Sequence, residues 1–201
     1  MRIVAGFAYR YEPDWMIDQL RENLAWVDGF AEINTRGRGD VWMPRLERVR
    51  AVQQLARDMD ADWVLALDPD ERLEDGAEAT LRKLADGRHG RYSLRMRELW
   101  TPTAYRIDGT WGNRRRRRFY RLGNRHQAQP IDINIYHLAT IEPANRAVRR
   151  HVHTDHNTWD NKSHGFDYLD DDTGKILEEI PTGRGYTPTY RRYVKQIPGY
   201  Q

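Results

Sequence analysis

The first 70 residues switch between two hydrophobic periods, and that alternation restricts the fold more than any other property of the chain. Residues 2–8 (RIVAGFA) are a short apolar run of the kind a buried strand makes. Pro13 and Asp14 then open a helix whose apolar positions are Trp15, Ile17, Leu20 and Leu24. Residues 30–34 (FAEIN) alternate as a strand, and residues 35–40 (TRGRGD) form a glycine-broken loop. From Pro44 to about Asp60, Leu46, Val49, Val52, Leu55, Ala56 and Met59 recur at helical spacing. Residues 62–67 (DWVLAL) make the clearest strand, which runs into Asp68-Pro69-Asp70-Glu71; a short helix is expected over 76–85. Such a βαβαβ unit has parallel strands and right-handed crossovers.

Ligands of parallel sheets bind beyond the carboxyl ends of the strands. Three segments converge there: Tyr9 to Glu12, Asn34 to Asp40, and Asp68 to Glu71. The second half reads differently. Residues 91–99, 114–121 and 131–138 alternate as strands, residues 142–151 and 168–180 read as helical, and the tail from Pro181 has no period. The expected organisation is one mixed α/β domain over 1–180, parallel over 1–75 and mixed over 76–180. Residues 181–201 are expected as a surface-wrapping or disordered extension.

Composition removes several classes. The 201 residues include no cysteine, which excludes a disulfide framework, a thiolate nucleophile and a Cys-based zinc site. No apolar run approaches the ~20 residues that cross a bilayer, and the N-terminus reaches an acidic turn too soon for a signal peptide, so a soluble cytoplasmic protein is expected. The net charge of +3 is local: Arg114 to Arg118 carries five positive charges, and without it 28 basic residues face 30 acidic ones. Four of the 33 basic residues are Lys and the rest Arg, whose planar fork suits phosphate and carboxylate.

The chemistry-bearing motif is Asp68-Pro69-Asp70. In extended geometry residues i and i+2 share a side, which would present both carboxylates as hard oxygen ligands to Mg²⁺ or Mn²⁺. A cation there can bridge two phosphates and carry the charge of a leaving diphosphate. An EF-hand is excluded because its fifth loop position would be Arg72. The sequence holds no Walker A and no G-x-G-x-x-G, so phosphate binding would use metal and Arg.

The stretch Ala61 to Leu73 (ADWVLALDPDERL) resembles the DxD region of family 2 glycosyltransferases, in particular a bacterial and phage branch with a "dWvL-lDaDErl" pattern. Arg10-Tyr11-Glu12, Trp42, Glu47 and Arg48 resemble that branch upstream. Leu99-Trp100, Tyr105-Arg106, Asp108, Trp111, Arg118 to Arg121 and Tyr136-His137-Leu138 resemble it downstream. The resemblance covers about residues 1–150 and implies a GT-A fold. It also implies a nucleotide-diphosphate sugar donor, UDP- or GDP-linked. By the same resemblance Asp70 binds a divalent cation, Asp68 assists, and His137 completes the metal site. Ala8, Arg10, Glu12 and Asn34 would line the base and ribose pocket, Arg45 or Arg48 would reach the nucleotide, and Arg118 would face the diphosphate. Trp100 and Trp111 would line the acceptor side. An inverting transfer needs a carboxylate within reach of the acceptor hydroxyl; Asp108 is the first candidate and Glu142 the second.

The acceptor is open between a glycan, a protein and modified phage DNA. The competing reading is a nucleic-acid-binding protein built around the Arg run. The histidines at 151, 153 and 156, preceded by Arg149 and Arg150, read as a surface patch. The acidic residues Asp167, Asp170, Asp171, Asp172, Glu178 and Glu179 read as a solvated helix face.

Overall fold

The computed structural model describes residues 1–36, 45–109, 111–124, 126–147 and 174–192, without the Arg45 side chain. In chain order the elements are β1 (Ile3–Tyr9), α1 (Asp14–Asn23), β2 (Phe30–Asn34), α2 (Arg45–Asp58), β3 (Trp63–Ala66), β4 (Glu71–Leu73), α3 (Ala77–Ala85), β5 (Arg91–Glu98), β6 (Ala104–Arg106), β7 (Arg115–Arg121), β8 (Gln129–His137) and β9 (Leu177–Glu179). Seven strands form one sheet in the order β2-β1-β3-β7-β5-β8-β4, and β6 pairs with β9 in a second. The fold is α/β with a mixed sheet. β1 is parallel to both β2 and β3, as the βαβαβ pattern requires. Beyond β3 the sheet turns mixed: β7 is antiparallel to β3 and β5, β8 is parallel to β5, and β4 is antiparallel to β8.

The alternation of β1 explains the two layers. Ile3, Ala5 and Phe7 face α1 and α3, packing with Ile17, Leu20, Leu24 and Leu81. Val4 faces the other way, toward Val52 and Ala56 of α2. Gly6 lies between: a Cβ there would come within 2.5 Å of Val52 Cγ1, so glycine is what lets α2 approach β1. At the centre Trp63 stacks on Phe119 with ring centroids 4.6 Å apart, joining the parallel half to β7. Burial of a side chain such as Phe119 contributes about 1.5–3 kcal/mol.

Two expectations change, and a third falls partly outside the described residues. Only the later part of α2 packs on the sheet; Leu46 and Val49 in its first turns are exposed. Residues 177–179, read as helical, form β9, because Leu177 to Glu179 pair with Arg106 to Ala104 and the Tyr105 hydroxyl donates to Glu178. Residues 143–147 are helical as expected, whereas 148–173, with the histidine patch and the acidic residues at 167 and 170–172, lie outside the described residues.

The described part of the tail, 181–192, packs on the rest of the chain and part of it enters the core. Tyr186 is 6 % exposed and packs with Tyr136, Leu99 and Tyr105. Arg184 donates to Glu74 from Nε at 2.7 Å and from Nη2 at 2.9 Å, and Thr187 bonds Asp75. Among the described residues no helix is long and apolar enough to cross a membrane.

Candidate active site

The carboxyl ends of β2, β1 and β3 lie side by side, with Tyr9 in register with Asn34 and Gly6 with Ala66. At the β1 end Glu12 is buried, and its carboxylate accepts from the N–H groups of Arg10 (2.9 Å) and Tyr11 (3.1 Å). Asn34 Oδ1 likewise accepts from the Arg36 N–H at 2.9 Å. These two side chains therefore shape the loops they sit on. Arg36, which the sequence reading did not single out, ties the loops together: it donates to the Glu12 carbonyl and the Asp14 carboxylate and lies 5.0 Å over the Tyr9 ring. Ala8 and Arg10 are half-buried, the latter over the Tyr11 ring. Arg45 opens α2 and Arg48 follows in its first turn.

Asp68 to Glu71 is not extended. The Glu71 N–H donates to the Asp68 carbonyl at 2.9 Å, closing a turn, so the i, i+2 rule does not apply and the two aspartates take different partners. Asp68, half-exposed, accepts from Arg118 Nη2 at 2.6 Å. Asp70 Oδ2 lies 3.5 Å from His137 Nε2. Glu71, 1 % exposed, accepts from the Asp68 N–H at 2.9 Å and from Arg118.

Arg118 reaches both carboxylates because of an irregularity in β7. Tyr92 pairs with Phe119 and Ser93 with Arg117, so Arg118 is the extra residue of a β-bulge. Bulges re-aim side chains in this way. The electrostatics follow from the pairing. Burial works against the charge of Asp68, but Arg118 outweighs it and holds the carboxyl below its ordinary range. For Glu71 burial prevails over Arg118 and pushes the carboxyl up to about 7. His137 is also buried, yet Glu98 and Asp70 raise it to about 9.

Beneath the turn sits Arg72, fully buried. Its Nη1 donates to the carbonyls of Pro69 (2.7 Å) and Glu71 (2.8 Å), and Nη2 donates to that of Met16 (3.3 Å). Burial lowers it to about 10. This guanidinium fastens the acidic turn to α1, a role that the sequence pattern alone did not disclose.

Among the described residues no group of three or more His, Cys, Asp or Glu side chains is arranged to hold a metal ion. Asp70 and His137 nevertheless fit a cation that takes its remaining ligands from elsewhere. One carboxylate oxygen faces one ring nitrogen, the other ring nitrogen is hydrogen-bonded to a carboxylate, and Mg²⁺-type sites commonly use one or two protein carboxylates with phosphate and water. Asp68, engaged by Arg118, borders this pair.

The residues expected on the acceptor side gather around two tryptophans, and Arg114 links them to Glu98. Trp100 is buried, with the Arg146 guanidinium 4.0 Å and the Lys175 ammonium 4.5 Å over its ring. Half-buried Trp111 lies under Arg114 at 4.5 Å and Arg106 at 5.0 Å. Asp108 is clamped by Arg106, whose Nε donates to Oδ1 at 3.0 Å; that hydrogen bonding holds its carboxyl below the ordinary range and works against a general-base role. Glu142 accepts from the Tyr190 hydroxyl at 3.1 Å.

Four of the five arginines of the run take different surroundings. Arg114 faces Glu98, Arg115 donates to the carbonyls of Ser93 and Ile131, Arg118 enters the acidic turn, and Arg117 is exposed. No protein-family model matches the chain, and no curated protein matches it in sequence.

Proposed function

We propose that this chain is a metal-dependent glycosyltransferase of GT-A type, moving a sugar from a UDP- or GDP-linked donor to a glycan, protein or modified-DNA acceptor. The observation that carries the reading is Asp70 facing His137 Nε2 at the mouth of a three-strand parallel unit, with Arg118 alongside on Asp68. Ligands of such units bind at this mouth. A divalent cation held by Asp70 and His137 would neutralise the diphosphate as it leaves. Arg118 would present a fixed positive charge beside it, and the tied loops at Glu12 and Asn34 would border the base and ribose.

Calorimetry with UDP and GDP, with and without Mn²⁺, tests the reading. One nucleotide is expected to bind more tightly with Mn²⁺, and Asp70→Ala is expected to remove at least tenfold of that gain. Absence of binding by both nucleotides, or an undiminished gain in Asp70→Ala, would defeat it.

The nucleic-acid reading draws less support, because Arg114, Arg115 and Arg118 point at internal partners instead of forming one cationic strip. It requires DNA affinity that falls steeply with salt and that Arg117→Ala weakens.

A further inference from the structure

We infer that Glu98 is a positioning residue for a divalent cation: it fixes the His137 ring so that Nε2, and not Nδ1, is presented toward Asp70. The inference rests on the reading of Asp70 and His137 as a cation site. Glu98 ends β5 and is 1 % exposed. It pairs in register with His137 on the parallel neighbour β8, and its Oε1 lies 2.8 Å from Nδ1. Its other oxygen, Oε2, accepts from Arg114 Nη1 at 3.3 Å, so both oxygens are engaged and the carboxylate has a fixed orientation.

A carboxylate only accepts hydrogen bonds, so Nδ1, at 2.8 Å from Glu98, carries the proton, whereas Asp70 stands farther from Nε2, at 3.5 Å. That leaves Nε2 as the nitrogen with a lone pair to offer whenever the ring is neutral. The backbone holds both partners in place: the Leu99 N–H donates to the His137 carbonyl at 3.0 Å, and the Leu138 N–H donates to the Asp70 carbonyl at 2.8 Å. Arg114, Glu98, His137 and Asp70 thus form one chain of contacts across four segments of the fold. An outer carboxylate of this kind orients a histidine ligand and raises its basicity, and its loss typically costs 10–100-fold in metal affinity.

The experiment is titration of the full chain with Mn²⁺ alone, followed by electron paramagnetic resonance. It compares the unmodified protein with Asp70→Ala, Glu98→Ala and the near-isosteric Glu98→Gln. A ¹⁵N NMR spectrum of the metal-free ring, recorded above pH 9 where the ring is neutral, reads the tautomer independently. We expect one Mn²⁺ site that Asp70→Ala abolishes and that Glu98→Ala weakens at least about tenfold. Glu98→Gln, which keeps the shape but also offers a donor, should fall between. The ring should carry its proton on Nδ1 in the unmodified protein and on a mixture of both nitrogens in Glu98→Ala. Should Glu98→Ala fail to fold, Glu98→Gln decides: an affinity within twofold of the unmodified protein overturns the inference. Mn²⁺ binding that depends on Asp70 but not on Glu98 overturns the positioning role and leaves the cation site standing. No Mn²⁺ binding by the unmodified protein overturns both.

Discussion

The acidic turn and the tryptophan cluster handle buried charge in opposite ways. At and beside the turn, buried carboxylates are held by hydrogen-bonded cationic partners: Glu71 by Arg118, Glu98 by His137 and Arg114. Around Trp100 and Trp111, guanidinium and ammonium groups lie over ring faces, and Asp108 clamps Arg106. A hydrogen-bonded pair has one geometry, and removing a partner strands a charge away from water. A ring face attracts a cation over a broad area, and each contact contributes little by itself. The turn is therefore the more exacting of the two regions, and the cluster is the part that tolerates change.

Arg118→Met is the sharpest way to break that contrast. Glu71 and Asp68 lose their shared partner, and a loss of about 3–5 kcal/mol in urea-measured stability is expected. A loss under about 1 kcal/mol would mean that the turn behaves like the surface.

The pH dependence is the next largest effect. Glu71 is raised from 4.5 to about 7, so between those values only the unfolded chain ionises it and stability falls as pH rises. His137 is raised from 6.5 to about 9; its contribution is full below 6.5 and is lost as pH climbs to about 9. Stability should thus decline across this span, by at most about 1.4 kcal/mol per pH unit for each group. Glu71→Gln should flatten the lower part only, and an unchanged slope in that variant would remove Glu71 from the account.

The smallest effect belongs to the cluster. Arg146→Met gives up a contact with the Trp100 ring and a hydrogen bond to the Thr140 carbonyl, and about 1–2 kcal/mol is expected. A cost equal to that of Arg118→Met would erase the distinction between the two regions.

The parallel unit was legible because its signals are local. The apolar runs at 2–8 and 62–67 and the helical spacing around Val52 each report their own environment. The candidate site was legible at Asp68, Asp70, His137 and Arg118 through ordered motifs, while its working geometry was not. The turn at Asp68 depends on a backbone hydrogen bond that alternation does not encode. The bulge at Arg118 breaks the period of two from which a strand is read. Glu98 becomes significant only when β5 is laid beside β8, a pairing of residues 39 apart. β9 was misread because Lys175, Leu177, Glu178 and Glu179 are good helix formers; pairing with β6 overrides that local preference.

The bond from Arg184 to Glu74 spans 110 residues of chain. β4, which carries Glu71 and Arg72, is thus secured by a segment made long after it. During synthesis the acidic turn waits for this clasp while β1 and β3 already have each other. Contacts of such separation form late, since the loop they close is costly in entropy. The strap therefore works as a clock as well as a brace: the end of the sheet that carries the acidic turn is completed only near the end of folding.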